Sequence, residues 1–113
     1  MHEMSIAQSI LKIVLPQAQR NGATKIKLIR IRAGELRGIV QEQLTFLFGF
    51  VAKDTIAEGA LLDIEKVPIK SVCKECKHEF MVQEYKFECP ECDSKDVDTI
   101  EGMELAVKEI EIE

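Results

Sequence analysis

Between Ser5 and Arg20 the apolar residues Ile6, Ile10, Ile13 and Val14 recur three and four positions apart, the spacing of one face of an amphipathic helix. Pro16 interrupts this run. A proline inside a helix removes a ladder hydrogen bond and clashes with the preceding turn, so the pattern predicts a kink or an early stop, with Asn21-Gly22 closing the segment. From Thr24 to Ala33 the period drops to two, with Ile26 and Leu28 in one phase and Ile29 and Ile31 in the other. This reads as a strand whose phase slip marks a bulge or a portion covered on both faces. Ala33-Gly34 and Gly38 mark a loop. Val40, Leu44, Leu47, Phe48 and Val51 then form a second helical stripe, which Ile39, Phe46 and Phe50 widen to about half the circumference at ~100° per residue. A stripe this broad needs a sheet and the first helix to pack on, or a partner surface.

Leu61 to Val67, ended by Pro68, reads as a second strand, and Met103 to Ile112 as a last one, again with a slip between Leu105/Val107 and Ile110/Ile112. These elements predict an α+β fold: two helices on a small three-stranded mixed sheet, with a ribbon lobe inserted before the last strand. The expected boundaries are residues 1–69 plus 99–113 for the α/β domain and 70–98 for the ribbon.

The inserted segment carries the chain's four cysteines as two C-x-x-C knuckles, Cys73-Lys-Glu-Cys76 and Cys89-Pro-Glu-Cys92, separated by Lys77 to Glu88. A two-residue spacer lets one tight turn present two thiolates to one ion, and two such turns complete a tetrahedral zinc site. Phe80, Val82, Tyr85 and Phe87 between them read as a short hairpin, the architecture of a zinc ribbon. Four protein ligands leave no open position for water or substrate, so the site is structural. Iron in a rubredoxin-like site would use the same ligands. A thioredoxin-type role does not suit knuckles outside a strand-to-helix turn. His78 is adjacent to the first knuckle; it reads as a solvated side chain, with replacement of a thiolate or recruitment of a second metal as the alternatives.

Charge sharpens the division of the chain. Residues 1–69 hold nine basic and seven acidic side chains, and residues 70–113 hold six and thirteen. Nucleic-acid affinity comes mainly from Lys and Arg releasing phosphate counterions, so an acidic cysteine segment argues against DNA or RNA. No apolar run approaches the ~18 residues that cross a bilayer. Glu3 stands where a signal peptide would carry basic residues, so the cytoplasm is the expected compartment. There, cysteines at this density are metal ligands more often than disulfides.

One of the two histidines is His2. An α-amine, the first amide nitrogens and an imidazole at position two can close adjacent chelate rings, a donor set suited to Ni(II) or Cu(II). Taken alone, a histidine at that position more often has no function. The start Met1-His2-Glu3-Met4-Ser5, the Gly34-Glu35-Leu36 loop, the Leu44/Phe46/Phe48 helix, the Ala57-Glu58-Gly59-Ala60 turn into Leu62-Asp-Ile-Glu65, and the paired knuckles together resemble the hydrogenase nickel-incorporation protein HypA family over essentially the full length. The resemblance implies a non-enzymatic nickel metallochaperone that delivers Ni(II) to the large subunit of a [NiFe] hydrogenase, and to urease in some organisms. It further implies a nickel-handling GTPase partner and, in some members, a homodimer. Carried over by position, His2 is the essential nickel ligand, the Met1 amine and Glu3 amide are co-ligands, and Cys73, Cys76, Cys89 and Cys92 bind zinc. The competing reading is a zinc-ribbon adaptor for nucleic acid or a protein complex, drawing on Lys25, Lys27, Arg30, Arg32 and Arg37. These alternate with apolar residues and more simply form the solvated face of a sheet. No Ser/His/Asp set, phosphate loop or open metal site suggests an enzyme.

Overall fold

The computed structural model describes residues 2–113, the side chain of His2 excepted. The elements in chain order are α1 (His2–Arg20), β1 (Ile26–Gly34), a 3-10 turn (Glu35–Arg37), α2 (Gln41–Val51), β2 (Leu61–Val67), β3 (Lys70–Cys73), β4 (Glu79–Met81), β5 (Val97–Glu101) and β6 (Leu105–Ile112). They form two compact units, Met1–Arg32 with Ile39–Glu65 and Ala106–Glu113, and Ala33–Gly38 with Lys66–Leu105. No described helix is long and apolar enough to cross a membrane.

In the first unit α1 and α2 pack on one another. The buried stripe of α1 is Glu3, Ile6, Ala7, Ile10, Val14 and Ala18. Ala7 and Ala18 complete it, whereas Ile13 falls on its edge and is 45% exposed, because 3.6 residues per turn swing that position off the buried face. The helix does not stop early at Pro16: it runs on to Arg20. Pro16 itself is exposed, so its ring meets solvent, and the lost hydrogen bond is the one to the Lys12 carbonyl. Beyond it, Gly22 adopts φ +70° and the Gly22 and Ala23 amides donate to Gln19 and Ala18 carbonyls, a left-handed helix stop. On α2, Leu44 and Phe48 are buried, while Phe46 and Phe50 stay 67% and 61% exposed and meet edge to face at 5.0 Å.

The sheet of this unit has the order β2-β1-β6. Arg30 pairs with Asp63 and Arg32 with Glu65, so β1 and β2 ascend together. The Thr24 amide donates to the Glu113 carbonyl and the Gly34 amide to the Glu104 carbonyl, so β6 descends, and the sheet is mixed. Ile29 and Ile31 are buried on one face of β1; Arg30 and Arg32, one step out of phase, form a charged face on the other. Both Glu109, against Arg30, and Lys108, against Glu65, reach that face, so the phase slip of the last strand falls between them. Arg30 and Arg32 of the basic strand are thus ion-paired on that sheet face.

The second unit holds the antiparallel sheet β4-β3-β5. Its hairpin differs from the expected one. Residues 83–86 make the tight turn of a hairpin, the Lys86 amide donating to the Gln83 carbonyl at 3.0 Å, but no strand pairing flanks it: β4 pairs with β3, Ser71 opposite Phe80, while β5 pairs along the other edge of β3, Cys73 opposite Val97. Glu84 and Tyr85 both take positive φ, 54° and 59°, forming a turn that leaves Tyr85 exposed and breaks the period-two run. The core is small: Ile69, Cys73, Phe80, Val82 and Cys89, with Phe87 and Val97 packed against it. Gly34 and Gly102 meet in this unit so closely that a Cβ on Gly34 would lie 2.0 Å from the Gly102 carbonyl oxygen.

Candidate metal centre

The two knuckles are built alike, and the central strand β3 delivers the first of them. In each, a turn follows the first cysteine, and the residue after the second cysteine is left-handed, Lys77 at φ 67° and Asp93 at φ 61°. The Lys77 amide donates to the Cys73 carbonyl at 2.9 Å and the Asp93 amide to the Cys89 carbonyl at 2.8 Å; the Cys73 and Cys89 amides donate to the His78 and Ser94 carbonyls, both at 2.9 Å. Two copies of one backbone turn therefore present their sulfurs to each other. Cys73 and Cys89 are buried, Cys76 and Cys92 exposed.

The four Sγ atoms lie within 4.8 Å of one another. Across the knuckles, Cys73 Sγ lies 3.6 Å from Cys92 Sγ and Cys76 Sγ 3.5 Å from Cys89 Sγ. A tetrahedron with metal–sulfur bonds of ~2.3 Å has edges of about 3.8 Å, so the donor set fits one tetrahedral zinc ion with little adjustment. Backbone amides reinforce it: the Cys76 N–H points at Cys73 Sγ at 3.5 Å. That amide, aided by Glu75 and opposed by burial, brings the Cys73 thiol from 9.0 down to about 7. The Ser94 amide pulls Cys92 the same way, but Cys73, burial, Cys76 and Cys89 outweigh it and push Cys92 up to about 12. Cys76 is also raised, its pull from the His78 amide exceeded by Cys89, burial and Cys73 together. Four crowded thiols resist ionising together, and a dication removes that conflict by replacing their protons.

His78 does not join the four-donor group; its ring stacks on Phe80 at 6.2 Å and 11°. Glu3 lies in the first turn of α1 with its side chain 5% exposed. Met1 and the His2 side chain, the remaining nickel-ligand expectations, lie outside the described residues. The amides of Ser94 and His78 that shape the thiol cluster carry no mark in the sequence, because any residue supplies an N–H.

Fold and site together define a small α+β protein whose one cluster of metal-donor side chains among the described residues is a closed tetrathiol centre. A family model described as "Hydrogenase/urease nickel incorporation, metallochaperone, hypA" matches residues 1–112. Hydrogenase maturation factor HypA of Chlorobium limicola is 43% identical over all of this chain and 97% of its own, and that of Desulfatibacillum aliphaticivorans 42% identical over 99% and 87%. The solution structure of the Ni metallochaperone HypA from Helicobacter pylori superposes with a TM-score of 0.70 at 25% identity, covering 97% of this chain and 96% of that one. A second solution structure of HypA reaches 0.74 at 26%, covering 99% and 96%. The chain belongs to the HypA family of nickel metallochaperones of hydrogenase maturation.

Proposed function

We propose that the protein binds Ni(II) at its N-terminus, through the His2 imidazole, the Met1 amine and the Glu3 amide, and passes it to the large subunit of a [NiFe] hydrogenase. Zinc in the four-cysteine centre has a structural role. The observation that carries this reading is the family match over residues 1–112, joined to the chemistry of the two donor sets. A tetrathiolate site is closed and holds its ion, so a metal in transit needs other ligands. The start of α1 at His2 suits the task, because the first amides of a helix have no intrahelical acceptor. Their nitrogens can therefore coordinate without breaking a helix hydrogen bond. Binding through neutral imidazole and deprotonated amides weakens as pH falls through ~6.5, which favours handing nickel on. A nickel-handling GTPase would work beside this carrier, in the cytoplasm, with urease as a further client and a homodimer as a further state.

Native mass spectrometry of the intact protein with added Ni(II) tests the site. The expected result is one zinc retained in wild type and His2→Ala, and one tightly held nickel in the wild type alone. Equal nickel uptake by His2→Ala would remove the N-terminal site from the proposal.

A further inference from the structure

The four cysteines differ in a way that a purely structural zinc site does not require. Each knuckle carries one buried and one exposed cysteine, Cys73 and Cys76 in the first and Cys89 and Cys92 in the second. The sulfur of each exposed cysteine has that of a buried one in the other knuckle as a close neighbour: Cys89 Sγ lies 3.5 Å from Cys76 Sγ, and Cys73 Sγ lies 3.6 Å from Cys92 Sγ. We propose that this cluster is a peroxide-responsive thiol switch whose disulfides form across the knuckles, Cys73 with Cys92 and Cys76 with Cys89. The metal-release part of the proposal rests on the reading that the centre holds zinc; the pairing part does not.

With zinc bound all four sulfurs are thiolates, and Cys76 and Cys92, the exposed cysteines, are the ones that hydrogen peroxide in solvent reaches first. The thiolate attacks one peroxide oxygen, the O–O bond breaks, hydroxide leaves, and the sulfur becomes a sulfenic acid. The buried thiolate opposite then attacks that sulfur, the S–O bond breaks, a second hydroxide leaves, and the disulfide closes. Applied to both pairs, two peroxides are reduced, four thiolates become two disulfides, and four hydroxides are released. Disulfide sulfurs no longer carry the charge that binds a dication, so Zn²⁺ passes to solvent.

The nested pairing also explains what would hold the ribbon together afterwards. Cys76–Cys89 closes inside Cys73–Cys92, so the two turns that the metal joined remain joined by covalent bonds. The backbone frame of each knuckle, Lys77 to Cys73 and Asp93 to Cys89, stays closed. A bond within a knuckle would instead move the Cys73 sulfur away from the Cys76 amide that points at it at 3.5 Å. It would also leave the two turns unconnected once the metal had gone.

The test uses the full chain, with zinc content measured beforehand. After hydrogen peroxide treatment and alkylation of remaining thiols, disulfides are mapped by peptide mass spectrometry, while a chromophoric chelator reads released zinc. Cleavage after Glu75 and Glu91 separates the two cysteines of each knuckle, so the pairings are distinguishable. The expected products are Cys73–Cys92 and Cys76–Cys89, a mass about 4 Da below the reduced metal-free chain, loss of the bound zinc, and recovery of zinc binding after dithiothreitol. In Cys76→Ser, only Cys73–Cys92 forms and Cys89 is alkylated. Predominant Cys73–Cys76 and Cys89–Cys92 peptides, or sulfonic acids without disulfides, overturn the proposal. Protein that carries no zinc at the outset removes the structural-zinc reading, and its disulfide map still decides the pairing.

Discussion

Gly34→Ala is the substitution whose effect the structure sets most sharply. Gly34 has φ −66° and ψ 144°, angles any residue adopts, so backbone strain is not the issue. Space is: the new Cβ would lie 2.0 Å from the Gly102 oxygen, 2.1 Å from its carbon and 2.4 Å from the Met103 nitrogen. All three are backbone atoms and cannot rotate away. Separation by more than 1 Å would disturb the Leu36 amide bond to the Gly102 carbonyl at 2.9 Å and the Gly34 amide bond to the Glu104 carbonyl at 2.7 Å. Two hydrogen bonds at ~1 kcal/mol each and overpacking of ~1–3 kcal/mol give a loss of about 3–5 kcal/mol, a large part of the ~5–15 kcal/mol typical of a domain. Gly49→Ala is the internal control, since nothing lies within 4 Å of its Cβ position. In the middle of α2 the same added methyl should stabilise by about 0.5–1 kcal/mol through backbone entropy alone. Urea denaturation followed by circular dichroism reads both. A Gly34→Ala midpoint equal to or above wild type would refute the close-approach argument.

Phe48, 2% exposed, and Phe46, 67% exposed, lie two residues apart on α2; Phe48→Ala should cost about 3–5 kcal/mol and Phe46→Ala less than about 0.5 kcal/mol, measured as urea-midpoint shifts. Chelation of zinc should collapse the amide dispersion of Lys66–Leu105 in a nitrogen–proton NMR spectrum, because two of the five buried residues of that core, Cys73 and Cys89, belong to the four-cysteine cluster; an unchanged spectrum would contradict a structural role for the metal. The Cys76 amide that holds the Cys73 thiol down at about 7 belongs to the folded ribbon, so after chelation the thiolate should titrate at its ordinary 9.0, read as ultraviolet thiolate absorbance lost in Cys73→Ser; titration near 7 would show that the ribbon keeps its fold without metal.

Elements and donors were legible from local spacing. The α1 stripe, the β2 limits at Leu61 and Val67, and the phase slip of the last strand can each be read from a few neighbouring residues, since helix and strand periods are properties of a short stretch of chain. The paired C-x-x-C turns are legible for the same reason: two residues between thiols determine what one turn can present. Pairing is not local. The alternation of Phe80–Phe87 reads as a hairpin, and Glu84 and Tyr85 do make its left-handed turn, yet the strand pairing goes elsewhere, Phe80 opposite Ser71 on β3. Burial on a broad apolar helix is likewise decided elsewhere, by which face the neighbouring elements cover, so Ile13, Phe46 and Phe50 remain exposed.

By itself, the sequence determined the two helices and the strands β1, β2 and β6, that four cysteines make one closed site, and that charge divides unevenly along the chain; β3 and β5 carried no such mark. Only the tertiary structure decided which sulfur faces which, which of each knuckle's cysteines meets solvent, and where Gly34 and Gly102 touch. Those are distances between residues far apart in the chain, and they are set by how the strands are stacked and not by any residue's own preference.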